Sequence, residues 1–330
     1  MISRLLLSSI LLVAGVLHLI RPELFDNAIP FSFKFEINLL AGFLEILLGL
    51  GLWIPKFKDF AARISALWFL LLTPIHIYVS LFEIPMFGFS HPALLWGRTF
   101  LQPVLFLWAL TLQDKGWIMG QRWSEVAFLH YEVEAQKLQE RVPFPLDLYQ
   151  GKAVVSIVPF LMSRIRFPFL PPIPGLSTLL ELNLRTYVIV DGKPAVYFFT
   201  LDSNHLPAVL IARWFFSLPY RWVKLMFSSS PFYLFESTDL KLKAQIGPQK
   251  NSTDFDIWAT ERYALFTKRG EKTLIGIVEH PRWSFQEIEV LDFRDDFSKL
   301  LGNDLPLGEF LGAAYCSKID VKFRPFRQKR

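Results

Sequence analysis

Four long apolar segments in the first third of the chain limit its fold more than any other feature: Ile2–Ile20, Ile37–Ile54, Ala61–Phe82 and Ala93–Leu112. Each has about 20 residues, the helical length that crosses a hydrocarbon core of roughly 30 Å. Proline and charge fill the breaks between them, at Arg21-Pro22-Glu23, Ile54-Pro55-Lys56, Ile84-Pro85 and His91-Pro92. A cleaved signal peptide is the rival reading of the first segment. Three more spans follow it at once, and no small-residue cleavage site precedes a polar stretch, which favours a retained helix. The expected fold class is a multidomain membrane protein. Its N-terminal four-helix transmembrane bundle occupies residues 1–118, with helices at about 2–20, 37–54, 61–82 and 93–112.

Loop charges orient such a bundle. Arg4, the Lys56/Lys58/Arg63 loop, Lys115 and Arg122 lie on one side, against only Arg21 and Lys34 on the other. Both termini and everything after residue 120 are expected in the cytoplasm, with the bundle in the cell (inner) membrane. The lone Cys316 excludes an intrachain disulfide and any multi-thiolate metal site, and it suits a reducing compartment.

Ionisable groups in a span are costly and usually face the bundle interior. The helices contribute His18, Glu45, His76 and Arg98, with Gln102 one turn beyond Arg98. At 1.5 Å per residue they sit roughly 3, 12, 9 and 8 Å from the outward-facing ends, all in the outer half of a bilayer. Two readings stand. One is a structural lock in which Glu45 pairs with Arg98. The other is a site for a quinone-like or other amphiphilic molecule, or a proton relay. No two of these groups share a metal-ligand spacing, so no metal is expected. Gly42, Gly49 and Gly51 would allow close helix approach, and Pro74 and Pro103 would kink their helices.

The stretches AGVLHLIRPELF, NLLAGFLEILLGLGLWIP and RTFLQPVLFLWAL resemble the DoxX-like four-helix membrane proteins. That resemblance implies a compact bundle, linked in some members to quinone redox chemistry or to the support of other membrane proteins.

From residue 119 to 330 the pattern turns to short alternating runs between turn signals, the mark of an antiparallel β domain. Strands are expected at 152–160, 182–190, 194–202, 233–245, 255–266, 273–280 and 285–293. Helices are expected at 134–141 and 206–218, the second with Asn204 as N-cap and Pro207 in its first turn. Asp191-Gly192 between two β runs signals a two-residue hairpin turn. With that loop Glu181 faces Asp202, Asn183 faces Thr200, Arg185 faces Phe198 and Tyr187 faces Val196. Glu181, Asn183, Arg185, Thr200 and Asp202 then share one surface, opposite Leu182, Leu184 and Val188. Solvated, that face is ordinary; curled inward, it lines a pocket. Arg185 would then clamp a carboxylate or phosphate, with Glu181 and Asp202 orienting it or acting as acid and base.

VVSIVPFLMSRIR, PPIPGLSTLLELNLRTYV, DGKPAVYFFTLD and ATERYALF resemble the uncharacterised YqjF-like family. The resemblance implies a β-barrel similar to acetoacetate decarboxylase, with a central cavity. That enzyme uses an adjacent lysine pair to form a Schiff base. Here no Lys-Lys dipeptide occurs, and Lys241-Leu-Lys243 is the nearest approach.

His130, His205 and His280 read as structural histidines, and Cys316 as an ordinary thiol. Arginines and aromatics interleave at 164–169 and 213–227, and the tail 318–330 is basic. In a membrane-tethered domain this mixture suits anionic lipid better than nucleic acid. The net charge of +5 thus carries no expectation of a nucleic-acid partner. The functional expectation is a membrane-anchored small-molecule-binding or accessory protein, its cytoplasmic pocket holding an acidic or amphiphilic ligand. The alternative is a membrane oxidoreductase whose helical polar cluster meets a quinone. No other cofactor is expected, and nothing in the sequence sets an oligomeric state.

Overall fold

The four apolar segments fold as helices α1 (Ile2–Ile20), α2 (Lys34–Gly51), α3 (Lys58–Leu81) and α4 (Pro92–Thr111) in the computed structural model of the chain, which describes residues 2–113 and 116–329. Lys115, counted above among the orienting charges, and Arg330 lie outside the described residues. Contacts divide the chain into Met1–Gly116 and Trp117–Arg330, two residues before the boundary expected from the sequence.

In the first unit, α1, α3 and α4 are long and apolar enough to cross a membrane. Helix α2 is the shortest of the four and holds Lys34, Glu36 and Glu45 within its 18 residues. It packs against α1 and α3, and α4 packs against α3. The α1–α2 contact is set by glycine. A Cβ on Gly42 would lie 2.9 Å from the Gly15 carbonyl oxygen, and one on Gly15 would lie 2.7 Å from that of Gly42. Only hydrogen fits at such an approach.

The second unit is mainly β. Its elements are β1 (Met119–Val133), α5 (Ala135–Arg141), β2 (Ala153–Arg166), β3 (Leu179–Val190), β4 (Lys193–Ser203), α6 (Leu206–Phe216), β5 (Tyr220–Trp222), β6 (Met226–Ser228), β7 (Tyr233–Glu236) and β8 (Leu240–Lys250). They continue as α7 (Asp254–Thr260), β9 (Ala264–Arg269), β10 (Lys272–Glu279), β11 (Phe285–Asp295), β12 (Phe310–Phe323) and β13 (Arg327–Gln328). Pairing runs β10-β9-β4-β3-β2-β1-β12, and β12 pairs again with β10 through Val278↔Phe323 and Glu279↔Lys322, so the path returns on itself. Apolar side chains pack on both faces of this path. Val126, Phe128, Val158 and Tyr187 lie on one face, and Leu129, Val155, Leu182 and Leu184 on the other.

Several expectations are corrected. Residues 255–260 are helical, not a strand. Thr253 and Asp256 form a reciprocal capping box that satisfies the first amides of α7 and starts the helix. The run 233–245 is broken by a turn into β7 and β8. Residues 318–323 of the basic tail belong to β12, which pairs along its length with β1. Ile319 and Val321 are buried there, while Lys318, Asp320 and Lys322 point outward, the period of a half-buried strand. The N-cap of α6 is His205, whose Nδ1 accepts from Ala208 N at 3.3 Å. Asn204 instead accepts from the backbone amide of Leu180 at 2.9 Å, tying this corner to β3.

Candidate functional site

The β3–β4 hairpin turns at Asp191-Gly192, and its register matches the sequence expectation from Val190↔Lys193 to Arg185↔Phe198. Beyond Arg185 the pairing slips by one residue, to Leu184↔Thr200, Asn183↔Leu201, Leu182↔Asp202 and Glu181↔Ser203. Phe199 is the extra residue of this bulge. A one-residue slip exchanges the faces of everything past it. Glu181, Asn183 and Arg185 therefore share their face with Phe198 and Leu201. Thr200 and Asp202 turn to the opposite side, contrary to the expected polar ladder. There Asp202, 1% exposed, accepts from Arg221 Nε at 2.7 Å and Nη2 at 2.6 Å, and from Thr200 at 3.0 Å. Arg221 comes from β5, which pairs parallel to β4 with Asp202↔Arg221.

The Glu181–Arg185 face borders a cavity of about 280 Å³ enclosed by β1–β4, β9, β10, α6 and the loop after β2. Most of its wall is apolar, with Trp123, Phe128, Phe160, Phe198 and Leu265 among the lining residues. Along β3 the three polar groups alternate at i, i+2 and i+4, about 13 Å from first to last at 3.3 Å per residue.

Arg185 sits over the rings of Phe128 and Tyr187, at 5.2 and 5.8 Å. It is 8% exposed. Its Nη2 makes one long contact, 3.5 Å to the Ala259 carbonyl, and its Nε has no partner. Among the described residues no carboxylate stands within ion-pair distance of it. The Asn183 side-chain oxygen is likewise buried without a donor. Glu181 accepts from the Tyr220 hydroxyl at 2.6 Å. Burial pushes its carboxyl up to about 7, hydrogen bonds from Tyr220 and Asn183 hold it down in part, and the Asp202 charge pushes it up. Burial and the Glu181 carboxylate together push the Tyr220 phenol far up.

Sequence reasoning missed Tyr220, Arg221 and Arg262. Arg262 also borders the cavity, pairs with Asp147 and lies 4.7 Å over the Trp258 ring. Nothing local marks these residues, because their acidic partners Glu181, Asp202 and Asp147 lie on other elements. His130 is buried next to the cavity wall. Its Nδ1 lies 2.7 Å from Ser156 Oγ, which is 2.6 Å from the Tyr187 hydroxyl, and its Nε2 has no partner among the described residues. Burial and then the Arg185 charge push the imidazole down to about 3, so it is neutral at ordinary pH. Among the described residues no lysine lines the cavity, and Lys241 and Lys243 on β8 lie outside it. Burial pushes the Cys316 thiol up, as for an inert thiol.

In the helical unit the polar residues divide into two groups, and the expected Glu45–Arg98 lock is not formed. Glu45 on α2 accepts from Trp68 Nε1 at 2.9 Å and stands 3.9 Å from His18, because α2 packs on α1 and α3. His18 donates to Asn38 at 2.8 Å, and Asn38 donates to Asp26 at 2.6 Å. On α3 and α4, Gln102 Nε2 is 3.1 Å from His76 Nε2, and Arg98 lies 5.2 Å over the Phe87 ring. No group of three His, Cys, Asp or Glu able to hold a metal occurs among the described residues.

The fold and the site define a mainly β cavity domain that follows an apolar helical region. Residues 120–320 match the family model described as an uncharacterized conserved protein, DUF2071, and residues 7–113 match a domain of unknown function, DUF8561. The chain is 35% identical over 234 residues to "Uncharacterized protein YqjF" of Bacillus subtilis (strain 168), covering 66% of this chain and 96% of that one. This chain belongs to the YqjF-like DUF2071 family. Among solved structures it is similar to an acetoacetate decarboxylase-like enzyme from Sphingomonas wittichii RW1, at 9% identity and TM-score 0.46 over 66% of this chain and 95% of that one. Acetoacetate decarboxylase from Legionella pneumophila is similar at 10% identity and TM-score 0.47, over 64% and 87%. Neither likeness speaks to a reaction in this chain.

Proposed function

We propose that the β unit binds a small amphiphilic carboxylate, inside a barrel made by the closed strand path. Arg185 carries this reading. A buried guanidinium with an idle Nε and no counter-ion is costly unless something anionic completes it. A carboxylate taking Nε and Nη2 side-on supplies the bidentate geometry that arginine favours. The idle Asn183 oxygen offers an acceptor to a hydroxyl on the same ligand, and the aromatic walls suit a hydrocarbon chain. Calorimetric titration of the full chain with decanoate tests it. Saturable one-site binding is expected, and no binding would sink the proposal.

The helical region, in this reading, is a DoxX-like four-helix bundle that anchors the β unit at the cell membrane with both termini cytoplasmic. Its support is three helices of spanning length and the loop-charge asymmetry. A reporter fused after Arg330 should be active only in the cytoplasm. Activity in the external compartment would reverse the orientation.

One observation favours a second reading, for the helices. Glu45 Oε2 and Gln102 Oε1 are both buried without a donor. Idle acceptors suit the hydroxyls of a quinol, each in its own polar group. Quinol affinity of the reconstituted protein should fall in Glu45→Gln or Gln102→Leu, and equal affinity in the wild type and both variants would remove this reading.

A further inference from the structure

The loop between β2 and β3 and helix α6 share an unusual chemistry. Residues 161–180 and 203–219 hold no Asp or Glu, and their charged side chains are Arg164, Arg166 and Arg213. Loop and helix are joined where His205 Nε2 donates to the Gly175 carbonyl at 3.2 Å. Together they expose Phe169, Ile173 and Leu176 from the loop and Leu210, Ile211 and Trp214 from the helix, with Phe169 48% and Trp214 75% exposed. Prolines 168, 171, 172 and 174 stiffen the loop, so this exposure costs little further ordering when the surface is covered. The same residues form the cavity rim, because Ile173, Leu176 and Ile211 also line the cavity.

We propose that this rim docks on a lipid bilayer containing anionic lipid and that the cavity ligand passes through it from the membrane. Aromatic and aliphatic side chains on segments whose only charges are arginines fit the headgroup boundary, where rings enter the acyl region and guanidinium groups meet phosphate. Charge complementarity selects an anionic occupant over a neutral or basic one, and the spanning-length helices of the same chain make that occupant the bilayer. A chain with helices able to cross a membrane also holds its β unit at high effective concentration beside the bilayer. The docking surface stands apart from the cavity reading, and only the route of the ligand rests on it.

The test places a nitroxide at Phe169→Cys or Trp214→Cys in the full chain, reconstituted into vesicles of equal parts phosphatidylcholine and phosphatidylglycerol. The wild-type chain, whose Cys316 is buried, corrects for background labelling. A label at Glu271→Cys, exposed in the β9–β10 turn, is the water reference. Access of a water-soluble nickel chelate should fall about fivefold at 169 and 214 relative to 271, with oxygen access raised, as for groups entering the acyl boundary. Arg164→Glu with Arg213→Glu should return the labels to water. Chelate access equal to that at 271 would overturn the proposal, as would spin–spin broadening that reveals a second copy on the surface. Arg185→Met should leave both labels unchanged while weakening decanoate binding, so failure of the cavity and failure of the docking surface are read separately.

Discussion

Replacing Glu181 by glutamine is expected to abolish a fall in stability of the β unit between about pH 4.5 and pH 7. Burial raises the folded-state pKa of this carboxyl from the ordinary 4.5 to about 7. Between those values the native protein keeps a proton that the unfolded chain has released. Stability therefore decreases as pH rises through the window, and the loss is complete just above the folded pKa. Some two and a half pKa units correspond to about 3 kcal/mol. Glutamine keeps an acceptor for Tyr220 and cannot ionise. Glu181→Gln should match the wild type near pH 4.5 and exceed it by about 3 kcal/mol at pH 8. Hydrogen exchange of β3 amides, which resolves this unit from the helices, reads the difference directly. Parallel pH profiles for the two proteins would show that Glu181 is not the titrating group.

Arg185→Met is expected to weaken decanoate binding by about 10- to 100-fold, the value of roughly 1.5–3 kcal/mol for hydrogen bonds to a charged group. The same substitution should leave the unliganded protein as stable as the wild type or more so. It removes a buried cation that has no counter-ion and replaces it with an apolar side chain among Phe128 and Tyr187. A structural arginine would behave in the opposite way, losing stability with no effect on affinity. Arg185→Lys separates charge from shape: it keeps the charge but not the planar fork, and should bind between the two. Unchanged affinity in Arg185→Met, together with lost stability, would assign the residue to the scaffold.

Legibility followed the range of the interaction behind each feature. The capping box of α7 was present in the sequence as Thr253-x-x-Asp256 and was masked by the apolar run that follows it. The β1 and β12 pair was hidden in another way. Glu125 sits at φ 55 inside β1, and bulges interrupt its pairing with both neighbours, so no clean alternation marks 119–133. Phe128 to Tyr131 are buried without a break, because both faces of the strand are covered.

By itself the sequence determined the helical segments, through the length of their apolar runs, and the hairpin turn, through Asp191-Gly192. It also determined that Glu181, Asn183 and Arg185 share a face, since a period of two holds in any register. The tertiary structure alone decided that Thr200 and Asp202 leave that face. The slip at Phe199 accompanies the parallel pairing of β5 with β4, a strand some twenty residues away, and the Arg221 it delivers to Asp202. Tertiary structure also brought Tyr220 to Glu181, withheld any acid from Arg185, and gave Glu45 the partners Trp68 and His18 in place of Arg98. Alternation is a property of the local backbone. Register, closure and choice of partner depend on contacts between distant segments, and those exist only once the chain has folded.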